Sequence, residues 1–126
     1  MKEIISTDLA PKAIGPYSQA IKANGFVFTS GQLPIDPTTG VFVEGGIAEQ
    51  TTQVLKNVQA VLKAAGSDMN HAVKATVFLS DIANFKAFNE VYASFFPENP
   101  PARSAFQVAA LPLNALVEIE MIAVLI

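Results

Sequence analysis

A single arginine, Arg103, heads the nearly uncharged stretch from Pro100 to Leu111, whereas the other seven of the eight Lys and Arg residues are lysines. A guanidinium is permanently charged, and its planar fork of donors fits a carboxylate or phosphate through paired hydrogen bonds. In that setting Arg103 serves either as an anion clamp or as a structural partner of a carboxylate at a strand end. Glu118 and Glu120 stand two apart in an apolar run, so on a strand both point to one face, where carboxylates must be paired, wetted or functional. Asn89 falls within an apolar helical stripe, where an amide needs a hydrogen-bond partner; it either braces a loop or lines a pocket. Gly15-Pro16-Tyr17 and Ser30-Gly31-Gln32 are turn sequences whose glycines allow close backbone approach and leave N–H groups exposed. His71 is the lone histidine. Histidine triads, His-pair metal sites and the HExxH arrangement are therefore excluded, and His71 itself is assigned to the surface at the lip of a strand.

The elements that must position these residues follow from periodicity. Ile4-Ile5 is a short opening strand. Ser18 to Lys22 and Phe26 to Ser30 form a hairpin around Ala23-Asn24-Gly25, because Asn-Gly is a strong turn signal. A long loop through Pro34, Asp36-Pro37 and Thr38-Thr39-Gly40 contains a short strand at Val41 to Val43. From Ile47, the apolar positions 47, 54, 55, 58, 61, 62 and 65 follow a helical period, and Gly66 marks the stop. Val73 to Leu79 is a half-buried strand. Asp81 caps a second helix, whose stripe Ile82, Phe85, Asn89, Tyr92 and Phe96 ends at Pro97. Ser104 to Leu111 and Leu116 to Leu125 complete the sheet. This order predicts one α+β domain over residues 1–126, with two helices on one face of a single sheet. The last strand places Val117, Ile119, Met121, Ala123 and Leu125 on one side, and Ile122, Val124 and Ile126 follow the two glutamates on the other. A sheet apolar on both faces with only two helices predicts burial against another subunit.

Composition narrows the partners. With 51% apolar residues, a net charge of −3 and no cysteine, the chain can build a core. It lacks both the concentrated basic footprint of nucleic-acid binding and any thiolate nucleophile or Cys-held metal. Asp8, Pro11 and Pro16 interrupt the first twenty residues and no apolar run is long enough for a membrane span. The expectation is a soluble cytoplasmic domain with no membrane partner.

Taken together, the turns and strands resemble a known family. Ala13-Ile14-Gly15-Pro16-Tyr17-Ser18-Gln19-Ala20 followed by Phe28-Thr29-Ser30-Gly31-Gln32-Leu33-Pro34 is similar to the start of the RidA (YjgF) family of enamine/imine deaminases. Val73-Lys74-Ala75-Thr76-Val77-Phe78-Leu79, Phe88-Asn89-Glu90-Val91-Tyr92, Pro101-Ala102-Arg103-Ser104 and Ala115-Leu116-Val117-Glu118-Ile119-Glu120 continue the match in order along the chain. The resemblance implies a chorismate-mutase-like α+β fold and a homotrimer with ligand clefts between subunits. It also implies hydrolysis of 2-aminoacrylate, 2-iminopropanoate and 2-iminobutanoate to 2-keto acids and ammonia, without metal or organic cofactor. Arg103 would then clamp the substrate carboxylate and Glu118 would position or activate water. Tyr17, Ser30, Gly31 and Asn89 would line the cleft.

One position departs from the family pattern, which commonly has Cys or Thr two residues after the arginine. Here it is Ala105, so a side-chain contact is lost and only a backbone contact to substrate is expected. Two other functions fit the same resemblance. One is a metabolite-binding regulator, which needs Arg103 but not a water-activating Glu118. The other is a ribonuclease or translation inhibitor, which the acidic composition, single Arg and single His oppose.

Overall fold

The computed structural model describes all residues 1–126. Its strands are β1 (Glu3–Ile5), β2 (Ala20–Ala23), β3 (Phe26–Thr29), β4 (Ala72–Leu79), β5 (Ala102–Gln107) and β6 (Val117–Val124), and its helices are α1 (Ile47–Ala64) and α2 (Phe85–Phe95). The six strands form one mixed sheet in the order β1-β2-β3-β6-β4-β5. Only the β4–β5 pair is parallel, and α2 is its crossover. The predicted α+β architecture is the one observed.

Asn24 and Gly25 both adopt positive φ, 55° and 83°, as a type I′ hairpin requires. The paired strand begins at Ala20; ahead of it the Gln19 carbonyl accepts from the Ser30 N–H at 2.9 Å, while the Gln19 side chain ties down the preceding loop. Helix α1 runs from Ile47 to the turn at Gly66, whose φ of +88° reverses the chain. Val54, Leu55, Val58, Val61 and Leu62 lie fully buried along its inner face. They pack over Val77 and Leu79 of β4 and Val117, Ile119 and Met121 of β6 in a continuous core. Each buried aliphatic side chain contributes roughly 1.5–3 kcal/mol relative to exposure.

Four local expectations change. Asp81 caps a single 3-10 turn over Ile82–Asn84, accepting from the Ala83 N–H at 2.9 Å, and α2 itself starts at Phe85. Ile82 is therefore exposed and the wholly buried residue of α2 is Phe88, because the tighter turn rotates the stripe. Val41 to Val43 contributes only one bridge, between Ile35 and Phe42. Strand β5 starts at Ala102 and ends at Gln107, so Arg103 lies inside the sheet rather than ahead of it. His71 occupies a 3-10 turn before β4, half-exposed, with Nδ1 2.6 Å from the Asp68 carboxylate.

The helices cover only one side. On the other, Phe26 faces Val124 and Phe28 faces Ile122 across β3–β6, and Phe78 meets Phe106 edge-on at 5.5 Å. Phe26, Phe28 and Phe106 are each about two-fifths exposed, so this predicted second apolar face is bare in the single subunit.

Candidate active site

Arg103 sits on the edge strand β5 opposite Ala75 of β4, and its side chain rises on the helix side of the sheet. Nη1 donates to Oδ1 of Asn89 at 2.8 Å. The guanidinium carbon lies 4.8 Å from the centre of the Tyr92 ring, 5.5 Å from Phe85 and 5.6 Å from Phe88. The ion pairs of the subunit, Lys22–Glu3 and His71–Asp68, do not involve Arg103. Its charge therefore has no carboxylate partner within the chain, and Asn89 takes only one of its five donors. Arg103, Asn89 and Tyr92 line a pocket of about 380 Å³ closed by Phe96, Pro100 and Pro101. Asn89 thus braces the arginine and lines the pocket, rather than tethering a loop. Ala105 pairs with Val77 on the same side of the sheet as Arg103, its methyl packed against the core.

Glu118 belongs to β6 and pairs with Phe78, while Glu120 pairs with Thr76. Both glutamates point to the bare face, as their spacing predicts. Partial burial, followed by the neighbouring Glu120 charge, pushes the Glu118 carboxyl above the ordinary glutamate range. The Glu118 carboxylate occupies the space that a Cβ on Gly31 would fill. Only glycine at position 31 lets the backbone pass so close. The segment is held there by two bonds to β6: Gln32 N–H to the Ile119 carbonyl at 2.8 Å and Ile119 N–H to the Gln32 carbonyl at 3.3 Å. Ser30 donates its hydroxyl to the Ser18 carbonyl at 2.6 Å, which joins this turn to the one carrying Tyr17. Tyr17 is half-exposed, its hydroxyl accepts from the Ile14 N–H at 3.3 Å, and it shares a small cavity with Gly31.

Two buried amides fasten these loops. The Gln19 side chain accepts from Thr7 N–H at 2.6 Å and donates to the carbonyls of Pro11 and Thr7. Asn57 donates to the carbonyls of Leu33 and Ile35 at 3.0 and 2.9 Å. Sequence reasoning passed over both. Asn57 carried the same signal as Asn89, an amide inside an apolar helical stripe.

The candidate residues therefore form two groups. Arg103, Asn89 and Ala105 lie on the helix side at the β5 edge; Tyr17, Ser30, Gly31 and Glu118 lie around the bare face. Strand alternation enforces the separation: Ala75 and Phe78 of β4 point to opposite faces, one aligned with Arg103 and the other with Glu118. One subunit therefore presents the Arg103 guanidinium and the Glu118 carboxyl on opposite faces of the sheet. A larger cavity, about 470 Å³, lies between the 8–14 and 35–40 loops and contains none of these residues.

Residues 7–125 match the family described as Endoribonuclease L-PSP. The chain is 58% identical over 124 residues to Reactive Intermediate Deaminase A, chloroplastic, of Arabidopsis thaliana, covering 98% of this chain and 66% of that one. It is 50% identical to the 2-iminobutanoate/2-iminopropanoate deaminase of Mus musculus, covering 98% and 92% of the two chains. The crystal structure of E. coli TdcF with bound serine superposes with a TM-score of 0.93 at 44% identity, covering 97% and 98%.

Proposed function

This chain belongs to the RidA family, and from that membership we propose that it hydrolyses 2-enamine and 2-imine acids to 2-keto acids and ammonia. The substrates are 2-aminoacrylate, 2-iminopropanoate and 2-iminobutanoate. The observation that carries this assignment is the pairing of two unmet needs. Arg103 has a guanidinium with unengaged donors and no carboxylate, and Glu118 has a carboxyl whose proton affinity is raised. Arg103 grips the substrate carboxylate. 2-Aminoacrylate first shifts a proton from nitrogen to its methylene carbon and becomes 2-iminopropanoate; water then adds to the C=N carbon while Glu118 accepts its proton. That proton is returned to nitrogen to give the carbinolamine. The hydroxyl proton then passes to nitrogen through the same carboxylate, and the C–N bond breaks to release ammonia as the carbinol oxygen becomes the keto oxygen. Positioned acid–base catalysis of this kind contributes about 10²–10⁴-fold. The step is neither redox nor dependent on an electron sink, and it works without metal or organic cofactor.

Because the two halves face opposite sides of one sheet, the site is completed by a neighbouring subunit. Arg103, Asn89 and the Ala105 backbone come from one copy; Glu118, Tyr17, Ser30 and Gly31 come from the next. A homotrimer of this single domain, 1–126, covers the bare apolar face and creates three such clefts. No helix is long and apolar enough to cross a membrane, and we place the enzyme in the cytoplasm. The family description also names RNA cleavage. The net charge of −3 and the engagement of His71 by Asp68 disfavour it.

The test generates 2-iminobutanoate in situ with a dehydratase and follows its decay. Wild type should accelerate the decay. Glu118→Gln should lose about 10²–10⁴-fold in turnover while still binding 2-ketobutyrate. Arg103→Lys should weaken 2-ketobutyrate binding roughly ten- to hundredfold by calorimetry. Decay no faster with wild type than without it would leave a metabolite-binding regulator, and cleavage of added RNA would revive the nuclease assignment.

A further inference from the structure

Arg103 is held in a way that the hydrolysis scheme does not by itself demand. Along α2, Phe85, Phe88, Asn89 and Tyr92 occupy positions i, i+3, i+4 and i+7, so all four project from one helical face. That face lies over β5, and the guanidinium is within 4.8–5.6 Å of three ring centres while Asn89 takes its Nη1 hydrogen. Phe88 and Tyr92 pack with tilted rings 5.4 Å apart, and Phe96 extends the row at 4.8 Å from Tyr92. We propose that Phe85, Phe88 and Tyr92 are positioning residues, an aromatic collar that with Asn89 fixes the Arg103 fork toward the pocket. This rests on Arg103 being the carboxylate clamp.

The physical reason is charge economy. A carboxylate support would orient an arginine equally well but would neutralise it and compete with the substrate's own carboxylate. Ring faces attract the cation through their quadrupole and leave its formal charge and remaining donors available. The collar also removes rotamer freedom before the ligand arrives, so less is lost on binding. Tyr92 supports a role for the ring rather than its polar tip: its hydroxyl is buried and has no hydrogen-bond partner.

Phe88 is fully buried, so the test uses the half-buried Phe85 and, beside it, Tyr92. Phe85→Leu and Tyr92→Leu should raise the KM for in situ 2-iminobutanoate and the Kd for 2-ketobutyrate by the same factor, about three- to tenfold. Their kcat should stay within about twofold, because Glu118 chemistry is untouched. Tyr92→Phe, which restores the ring, should restore KM and Kd. Arg103→Ala is the reference and should lose 2-ketobutyrate binding. If Arg103→Ala fails to bind while Phe85→Leu binds like wild type, the collar is overturned and the clamp stands. If Arg103→Ala itself binds like wild type, the clamp falls and the collar with it. A Tyr92→Phe defect as large as that of Tyr92→Leu would assign the effect to the hydroxyl and also overturn the collar. Should Tyr92→Leu fail to fold, Phe85→Leu decides the question alone.

Discussion

Glu118, which we propose handles the proton, is tuned by its neighbours. Burial and then the Glu120 charge raise the Glu118 pKa. A general base must be ionised, so kcat/KM should fall as the pH drops through that raised value, above the usual glutamate range. Glu120→Gln removes a like charge from the same strand face, which favours ionised Glu118 and lowers its pKa. The acid limb of the pH–rate profile should therefore move to lower pH in Glu120→Gln. A limb that does not move would separate Glu120 from the chemistry. Ala105 is the residue that departs from the family pattern, and the structure shows what remains. Its partly buried methyl packs against the core beside Val77, and it brings no hydroxyl or thiol to a ligand.

Each half of the site is built on a rigid strand and trimmed by a loop. β5 presents Arg103 under α2, and β6 presents Glu118 against the Ser30–Gln32 turn. The turn at Gly66 matters for a different reason. It ends α1 and brings the last strand home: Ile126 N–H donates to the Gly66 carbonyl at 3.2 Å, and Ser67 donates its hydroxyl to Val124 at 2.6 Å. A Cβ at Gly66 would meet nothing within 4 Å, so the cost of Gly66→Ala is confined to its φ of +88°. That strain amounts to roughly 1–2 kcal/mol. Thermal unfolding of Gly66→Ala should come about 3–8 °C lower, with the kcat for 2-iminobutanoate unchanged. A melting point equal to wild type would show that the turn relaxes at no cost.

At the scale of the molecule, a composite site makes a prediction that no single-subunit site shares. Arg103→Ala and Glu118→Gln should each be inactive as pure proteins. Co-refolded in equal amounts, they should regain about a quarter of wild-type activity, because one interface in four combines an intact arginine with an intact glutamate. Sedimentation should show one species of about three times 13.4 kDa. A mixture as inactive as its components, or a stable monomer, would overturn the shared cleft.

Much of this protein was legible along the chain, because it depends on local physics. Asn24-Gly25 specifies its own hairpin through positive φ, and the apolar period from Ile47 to Ala65 specifies one buried helical face. The spacing of Glu118 and Glu120 places both on one side of a strand whatever that strand pairs with. Other features were not local. The start of α2 depended on a 3-10 turn competing with an α-helical first turn, so the stripe shifted from Ile82 to Phe88. The aromatic collar requires α2 to pack across β5, and no periodicity within either element reports that crossing. Above all, which faces Arg103 and Glu118 occupy relative to each other was decided by register. Each aligns with a different residue of β4, Ala75 and Phe78, and a slip of one position would put both on the same side. That choice is made by hydrogen bonds between strands distant in sequence, and it puts Arg103 and Glu118 on opposite sides of the sheet.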